Sequence, residues 1–174
     1  FTGDEWDTFS TDNLLPHNTI MAISTRSDGW MYLATQGAGV ARLRHDPVDG
    51  VSGASTIDQA WSSLPSDSVY SVFIDDRDVE WFGTKYGASR HEGYDIKTNW
   101  ITYSNEDGLA DNFVLSIKKD SSGGYWFGTA NGVSRLKDDE WQSWTSAGAL
   151  AGDSVYDIAV DHDGSIWFAT NNGV

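Results

Sequence analysis

The side chains of this sequence best suited to binding a ligand are amides and carboxylates that recur at regular intervals. An Asn or Asp occupies four positions separated by 49, 45 and 41 residues: Asn18, Asp67, Asn112 and Asp153. Such side chains form hydrogen bonds of the kind that recognise a polyhydroxylated ligand. The same residue types also cap backbone turns, and their recurrence in every copy favours that structural role.

Residues that do not recur are better candidates for a specific site. Lys85, Tyr86 and His17 are unlike their counterparts in the other copies, and the Tyr86 ring is suited to stacking on a sugar. With the recurring amides and carboxylates and the amides of neighbouring turns, the full set of predicted ligand-binding residues is His17, Asn18, Gln36, Asp67, Lys85, Tyr86, Asn112, Asn131, Asp153 and Asn171. The chemistry of this set is hydrogen bonding and stacking.

The histidines and the acidic residues do not form a pattern expected of an enzyme or a metal site. No metal-ligating spacing joins the four histidines, which fall in different parts of the repeat: His17, His45, His91 and His162. The segments 75–78 and 161–164 resemble fragments of calcium loops, but they lack the about six to eight oxygen ligands that Ca²⁺ takes. We interpret both as hairpin turns, and we predict no catalytic residue, no metal and no cofactor.

The element that must position these residues is a repeated strand–turn–strand unit, clearest at the end of the chain. Val155 to Val160 is an apolar run, Asp161 to Gly164 has the composition of a tight turn, and Ile166 to Thr170 is the returning strand. A bulky aromatic residue of the second strand recurs, each time followed three residues later by Thr: Tyr32, Trp81, Trp126 and Trp167. Self-similarity at this period, without helical periodicity, indicates a β-propeller.

Each repeat continues into a third and a fourth strand. The third is short and opens with Gly, over three segments: 39–43, 87–91 and 132–136. The fourth carries two bulky residues three positions apart, such as Trp141 and Trp144, whereas the first repeat offers only Trp61 after an enlarged loop over 44–60. We therefore predict an all-β fold, a β-propeller of four-stranded antiparallel blades with four repeats visible and the first strand of each blade innermost.

The connections of such a blade fall on two opposite faces of the disc. The upper rim, as we name it, holds the connections between blades and the turns between second and third strands. The lower rim holds the turns between first and second and between third and fourth strands. All the predicted ligand-binding residues belong to the upper rim, so we expect them to surround the propeller axis on one face.

Two registers of the repeat hold most of the bulky aromatic and basic side chains. The nine Trp residues fall mainly in columns, among them Trp81, Trp126 and Trp167 in one column and Trp6, Trp100 and Trp141 in another. Rings repeated so regularly are typical of packing between blades, where each buries about 150–250 Å². A further column contains basic residues that we expect to pair with nearby carboxylates: Arg42, Arg90 and Arg135.

The beginning of the chain resembles the end of a repeat. Residues 1–10 align with the segment that contains Trp141 and Trp144, so we expect them to form the last strand of a blade that 153–174 completes. Two arrangements of the whole chain, 1–174, stay open: a single closed four-bladed propeller domain, or a fragment of a larger propeller.

Pairing of the two incomplete strand edges should place the chain ends side by side. An orphan strand exposes unpaired N–H and C=O groups, and pairing satisfies both edges. We therefore expect Phe1 to lie close to Val174. Closure within one chain is the expected route because it does not immobilise a second molecule.

Composition excludes several classes of partner. The chain has 11 Lys and Arg against 26 Asp and Glu, and its net charge of −15 disfavours binding to nucleic acid or anionic lipid. It has no Cys, hence no disulfide, and no apolar run of the roughly 18–20 residues that span a membrane. We expect no nucleic-acid partner and no direct membrane insertion by this chain.

The repeats resemble those of the two-component regulator propeller family. The shared pattern is Asn or Asp, then two aliphatic residues three apart, an Asp-x-x-Gly-type turn, and Ile-Trp-Phe-Gly-Thr followed by Gly-Val-Ser-Arg-Leu and a Trp. It fits closely over 112–141 and 153–174, with more departures over 67–103 and most over 18–43.

This resemblance implies a non-enzymatic ligand-recognition or sensor module. Such repeats build periplasmic or extracellular input regions of signalling receptors, often ones that respond to carbohydrate. The implied partners are a small molecule or an oligosaccharide and the other domains of a longer receptor. A structural scaffold that binds protein partners is the alternative, and a metal-dependent propeller lyase is less favoured because His17 is the one histidine expected on the upper rim.

Overall fold

The computed structural model describes residues 8–12, 14–44, 55–56, 63–93, 95, 98–148 and 150–174. These residues form four antiparallel sheets, which we call blades 1 to 4, and contain no helix. Within each sheet, strands that follow one another in sequence are neighbours. The predicted all-β fold of four-stranded antiparallel blades is confirmed, with four strands in blades 1 to 3 and two described strands in blade 4.

The strand boundaries follow the repeat. Blade 1 consists of β1 (Ile20–Thr25), β2 (Trp30–Thr35), β3 (Val40–Arg44) and β4 (Ser55–Thr56). Blade 2 consists of β5 (Val69–Ile74), β6 (Glu80–Thr84), β7 (Gly87–His91) and β8 (Trp100–Tyr103). Blade 3 consists of β9 (Val114–Lys119), β10 (Tyr125–Thr129), β11 (Gly132–Lys137) and β12 (Glu140–Trp144). Blade 4 contains β13 (Val155–Val160) and β14 (Ile166–Thr170).

Blade 1 departs from the prediction in its last strand. The segment 44–60 was predicted to be one enlarged loop, but it includes β4, which pairs with β3 through Ala41 opposite Thr56. That loop prediction was wrong at these two residues, because the Ser and Thr there gave no hydrophobic signal for a strand. Trp61, which the sequence placed in the fourth strand, lies outside the described residues.

Each innermost strand pairs with its neighbour through a β-bulge near its beginning. The register shifts in all four blades, at Ile20/Ala22, Val69/Ser71, Gly128/Thr129 and Val155/Asp157. A bulge adds one unpaired residue and thereby reverses the alternation of side chains along the strand. Val155 and Ile158, three residues apart, are consequently both buried in the same cluster. The bulge explains why the sequence of this strand shows apolar residues in both alternating positions.

The hydrophobic core lies between the blades. Tyr32 and Val40 of blade 1 pack with Val72 and Phe82 of blade 2. Equivalent clusters join blades 2 and 3 and blades 3 and 4. The innermost strands contact one another in chain order, β1 with β5, β5 with β9 and β9 with β13. The apolar side chains of one blade are therefore buried by the neighbouring blade, as expected for a repeat architecture.

Two glycines allow the innermost strand of the next blade to approach closely. A Cβ added to Gly83 would lie 2.8 Å from Val114 Cγ1, and one added to Gly128 would lie 2.9 Å from Val155 Cγ1. Carbon atoms in normal packing are about 3.5–4.0 Å apart. The Phe-Gly-Thr segment of the repeat thus encodes an interface between blades.

The Trp columns pack mainly between blades, as the sequence predicted. Trp81 is fully buried, and its ring is 5.1 Å from that of Phe127 in blade 3. Trp126 and Trp144 stack with ring centroids 5.4 Å apart, against the cluster of blade 4. Trp167 differs, because 54% of it is exposed on the outer face of blade 4. Trp6 lies outside the described residues.

The two outer faces of the blade series carry exposed apolar side chains. Ile23 of β1 is 62% exposed, whereas its counterparts Val72, Ile117 and Ile158 are buried. At the other end, the exposed side chains are Tyr156 and Trp167. Of the first ten residues, 1–7 lie outside the described residues, while Phe9 packs on the face of blade 1 with Leu15 and Leu33. The predicted completion of blade 4 by 1–10 stays a prediction.

Candidate functional site

The upper rim is built from the connections between blades, and their backbone bonds tie each blade to the next. The main-chain carbonyls of Asn112 and Asp153 accept hydrogen bonds from Gly87 and Gly132 of the preceding blade, at 2.7 and 2.6 Å. The main-chain carbonyl of Asp67 likewise accepts the Gly39 N–H, at 2.7 Å. The rim is therefore a continuous structure that places the turn of one blade beside the recurring Asn or Asp of the next.

The recurring amides and carboxylates cap turns in at least three of the four copies. The side-chain oxygen of each accepts a backbone N–H from seven residues earlier: Asn18 from Thr11 at 2.8 Å, Asn112 from Asn105 at 2.7 Å, and Asp153 from Ser146 at 2.8 Å. Bonds from the Ser146 side chain and backbone lower the pKa of Asp153, which keeps the acceptor ionised. These side chains stabilise the loops by capping backbone turns, which is the structural role that their recurrence in every repeat favoured.

Other members of the predicted set also take part in local bonds. His17 Nδ1 accepts the Thr19 N–H at 2.9 Å, and Asn171 Oδ1 accepts the Ser154 N–H at 3.3 Å. The backbone of Asn131 donates to Thr129 Oγ1, and that of Gln36 donates to the Thr19 carbonyl. The Asn131 and Gln36 side chains are exposed, so both amides face solvent on the rim.

Lys85 and Tyr86 stand apart from the capping residues. The backbone N–H of Tyr86 donates to Thr84 Oγ1 at 3.1 Å, which fixes the turn, while 59% of Tyr86 is exposed. Lys85 Nζ is 5.8 Å from the centre of the Tyr86 ring. The bond from Gly87 to Asn112 places this pair beside the next connection of the rim. The arrangement is an exposed ring next to a cation and amides, which suits stacking and hydrogen bonding with a ligand.

The lower rim contains a depression of about 880 Å³ in volume. The depression is lined by the turns of blades 2 and 3 and by the end of β13: 73–77, 119–123 and Val160. Lys119 Nζ lies 2.6 Å from Asp75 Oδ2 and 2.8 Å from Asp76 Oδ1, and the Tyr125 hydroxyl donates to Asp75 Oδ2 at 2.7 Å. These bonds outweigh the effect of burial and lower the pKa of Asp75 to about 2. No repeated pattern in the sequence marks this link, which joins residues of different repeats.

The acidic turns that resembled calcium loops serve as hairpin turns. Asp161 Oδ1 accepts the N–H groups of Asp163 and Ser165, at 3.0 and 2.9 Å. Asp75 Oδ1 accepts those of Arg77 and Val79, at 2.8 and 2.9 Å. Within the residues that the structure describes, no group of three or more His, Cys, Asp or Glu is placed to hold a metal ion.

A buried charged cluster joins blades 1 and 2 and was not anticipated from the sequence. Glu80 accepts bonds from Arg26 Nη1 at 2.9 Å and from the Tyr32 hydroxyl at 2.7 Å, and it lies 2.9 Å from His91 Nδ1. Burial lowers the pKa of His91, but its bonds to Glu80 and to the Asp95 carbonyl outweigh this and raise the pKa overall. Burial and the charge of Glu80 raise the pKa of Tyr32 to about 12, so this phenol stays neutral.

The arginines of this column make two kinds of contact. Arg135 pairs with Asp120 at 2.7 Å and Arg90 pairs with Glu92, as predicted. The Arg42 guanidinium instead lies over the Trp30 ring, 4.2 Å from its centre. The predicted pairing of Arg42 with a carboxylate is not found among the described residues.

Comparison with protein families identifies two of the four repeats. Residues 108–131 and 149–172 match the sequence model of the two component regulator propeller. The resemblance inferred from the residues is thereby confirmed for the third and fourth repeats. A comparison with curated proteins gives no match.

Solved structures share the fold. The extracellular domain of the hybrid two component system BT3049 from B. thetaiotaomicron superposes with a TM-score of 0.80 and 20% identity, covering 97% of this chain and 23% of that one. The extracellular domain of BT4673 from the same organism gives 0.70 and 23%, covering 95% and 22%. This chain thus spans less than a quarter of the length of either structure.

An enzyme also has this fold. Virginiamycin B lyase from Staphylococcus aureus superposes with a TM-score of 0.61 and 17% identity, covering 90% of this chain and 54% of that one. At such identity the likeness concerns the fold alone. Separately, the described part of the chain contains no helix long and apolar enough to cross a bilayer.

Proposed function

We propose that this chain is part of a non-enzymatic propeller that recognises a ligand, in the extracytoplasmic sensor region of a signalling receptor. The observation that carries the proposal is the Lys85–Tyr86 pair, an exposed ring and cation on a rim whose recurring polar residues are engaged in caps. The matches to two component regulator propeller repeats and to the extracellular domains of two-component systems support the sensor role and the location.

We further propose that the ligand is a carbohydrate. An exposed aromatic ring can stack on the apolar face of a sugar, while nearby amides bond to its hydroxyls. The exposed amides of Gln36 and Asn131 and the carboxylate of Asp67 supply such groups on the same rim. The chain is too acidic for an anionic polymer to be the favoured partner of this face.

A calorimetric titration with a panel of neutral oligosaccharides tests this proposal. We expect one or more sugars to bind, and the Tyr86→Ala variant to bind about tenfold more weakly, the equivalent of about 1.4 kcal/mol. Tyr156→Ala is the matched control, because Tyr156 has nearly the same exposure, 58% against 59%, but lies on the outer face of blade 4. Equal weakening by both variants, or no binding by any sugar, would contradict the carbohydrate proposal.

A structural scaffold is the second candidate. The observation in its favour is the exposed apolar pair Tyr156 and Trp167, since apolar side chains grouped on a surface mark contacts with other proteins. Sugar binding lost in Tyr86→Ala supports the sensor. Protein capture lost in Trp167→Ala, without any sugar binding, supports the scaffold. Turnover of a substrate that stops on chelation and in His17→Ala would favour the lyase instead.

A further inference from the structure

Two buried hydrogen-bond donors of blade 2 have no acceptor in the described part of the chain. They are the indole Nε1 of Trp81, a residue with 0% exposure, and the Nε of Arg90. A buried donor without a partner costs about 1–3 kcal/mol, so native proteins rarely leave one unbonded unless a ligand, ion or water takes the place. Two such donors side by side indicate a missing acceptor.

Blade 3 contains the same two donors with their acceptor in place. Trp126 and Arg135 lie opposite each other in β10 and β11, as Trp81 and Arg90 do in β6 and β7. Trp126 Nε1 donates to Asp120 Oδ2 at 2.8 Å, and Arg135 Nε donates to the same oxygen at 2.9 Å. The molecule therefore shows which chemical group these two donors accommodate, namely one oxygen of a carboxylate.

The corresponding carboxylate of blade 2 is bonded elsewhere. Asp75 stands at the position of Asp120, but its Oδ2 accepts from Lys119 at 2.6 Å and from the Tyr125 hydroxyl at 2.7 Å, both in blade 3. Both carboxylates are held in their turns in the same way, because Oδ1 accepts the N–H groups of Arg77 and Val79 in blade 2 and of Ser122 and Gly124 in blade 3. The difference lies in Oδ2, which Asp75 directs at Lys119 and Tyr125 and not at Trp81 and Arg90.

A cavity of about 180 Å³ lies next to these donors, between blades 2 and 3 on the lower rim. Three basic residues line it, Arg77, Arg90 and Lys137, together with Asp138 and Asp139. The basic side chains exceed the acidic ones by one, in a chain with a net charge of −15. The remaining walls include the rings of Trp81, Tyr103 and Tyr125. The cavity is polar and partly aromatic and has the size of a small organic acid, and two of its basic residues also face carboxylates outside the lining, Arg90 with Glu92 and Arg77 with Asp75.

We propose that this cavity binds a small molecule through a carboxylate group. One carboxylate oxygen takes the place that Asp120 Oδ2 occupies in blade 3 and accepts from Trp81 Nε1 and Arg90 Nε, while Arg77 and Lys137 face the rest of the anion. Both donor atoms are sealed from solvent, so the ligand enters when the Arg90 side chain, which is 26% exposed, swings outward. The site lies on the rim opposite Tyr86, so it stands independently of the proposed carbohydrate site.

The test is a titration of the chain with acetate and with glucuronate, at constant ionic strength, and with glucose as the uncharged control. Calorimetry and Trp fluorescence are the readouts. We expect both carboxylates to bind and glucose not to bind in this cavity. Trp81→Phe keeps an aromatic ring and removes the N–H, and it should weaken carboxylate binding about tenfold or more, since hydrogen bonds to charged groups are among the strong ones.

Trp126→Phe is the matched control, because its N–H is bonded to Asp120 within the fold. This variant should leave carboxylate affinity unchanged within a factor of about two, whatever it does to stability. Arg90→Lys, which keeps the charge and removes Nε, is the second variant if Trp81→Phe does not fold, and it should also weaken binding. Tyr86→Ala should leave carboxylate binding intact.

Three results would overturn the proposal. One is the absence of carboxylate binding at millimolar concentration. Another is equal weakening by Trp81→Phe and Trp126→Phe, since binding would then not depend on the unpaired donor. A Trp81→Phe variant that is more stable than the parent and unaffected by acetate would mean that the donors are sealed without a ligand, which also contradicts the proposal.

Discussion

At the scale of single residues, the polar side chains divide into those that hold the fold and those that do not. The recurring Asn18, Asn112 and Asp153 accept backbone N–H groups seven residues away, and this use explains their recurrence. Tyr86 does not recur and has no such structural role, although its ring is more than half exposed. We therefore base the proposed recognition site on departure from the repeat and not on the presence of a polar group.

The buried His91 gives the interface of blades 1 and 2 a pH dependence. Its bonds to Glu80 and to the Asp95 carbonyl raise its pKa above the ordinary value of 6.5, against the opposite effect of burial. A raised pKa in the folded state means that protonated His91 stabilises the fold below about pH 6.5, and that this contribution is lost as the pH rises through the folded value. The other ionisable groups facing it are Arg26 and Tyr32, which stay charged and neutral respectively across this range.

We predict that the free energy of unfolding falls between pH 6 and pH 8 in the parent chain, and that this slope is smaller in His91→Leu. Leu is the natural test residue, since Leu136 occupies the same register in blade 3. Urea unfolding at a series of pH values measures the slope. His162→Leu is the control, because His162 is exposed. Equal slopes in the parent and in His91→Leu would contradict the role of His91.

At the scale of strands and blades, two Trp residues that share one column differ in burial, so they allow the effect of packing on stability to be measured. Trp126 stacks on Trp144 and donates to Asp120, whereas Trp167 in the same register is 54% exposed. We predict that Trp126→Ala lowers the free energy of unfolding by about 3–5 kcal/mol, the range for truncation of a packed aromatic residue. Trp167→Ala should cost well under half as much. Chemical denaturation of both variants measures the two losses. Similar losses in the free energy of unfolding would show that burial does not determine how much these Trp residues stabilise the fold.

A glycine of the same interface offers a test of close approach. Because a Cβ on Gly128 would lie 2.9 Å from both Val155 Cγ1 and the Val155 carbonyl, Gly128→Ala should destabilise the contact of blades 3 and 4, by about 1–3 kcal/mol. Ser121→Ala, on an exposed turn, is the control. Gly123→Ala on the same turn is not used, because Gly123 has a positive φ that Ala adopts only with strain. A Gly128→Ala variant as stable as Ser121→Ala would mean that the interface adjusts freely.

Strand positions were predictable from the sequence because they depend on a local, repeated pattern. The predicted third strand over 87–91 coincides with β7, and the predicted strands of the last repeat coincide with β13 and β14. The short β4 was missed because two polar residues in a loop-like segment carry no hydrophobic pattern. The bulges were missed as well, since an apolar residue in either alternating position is equally consistent with a strand buried on both sides.

The contacts between repeats were not predictable in the same way. The Arg26–Glu80 bond joins residues 54 positions apart, and the Lys119–Asp75 bond joins residues 44 apart. Arg26, Glu80 and Lys119 differ from their counterparts in the other repeats, so no recurring signal marks these bonds. The upper rim, in contrast, followed from the repeat topology, and the predicted residues lie in its connections.

At the scale of the whole molecule, the four blades form a series with an exposed apolar face at each end. Ile23 lies on one face, and Tyr156 and Trp167 lie on the other. Within the series, faces of these two kinds bury each other at every interface between blades. We therefore expect the two end faces to be covered, either by each other or by further blades.

Energy transfer between fluorophores attached at residues 1 and 174 tests whether the end faces meet. We predict transfer, because mutual burial of the faces brings the ends together. Transfer that persists at high dilution indicates closure within one chain, and transfer lost on dilution indicates association between chains. The absence of transfer at every concentration would contradict the predicted proximity of Phe1 and Val174.

The central claim is that the non-repeating residues of the upper rim recognise the ligand, and amide chemical-shift mapping tests it most directly. The chain is labelled with ¹⁵N and titrated with the oligosaccharide that binds most tightly in the calorimetric panel. We predict that the largest shift changes fall on Lys85, Tyr86 and the neighbouring Asn112, with smaller ones on Gln36 and Gly37. Changes confined to the lower rim or to the outer face of blade 4, or spread evenly over the blades, would contradict the claim.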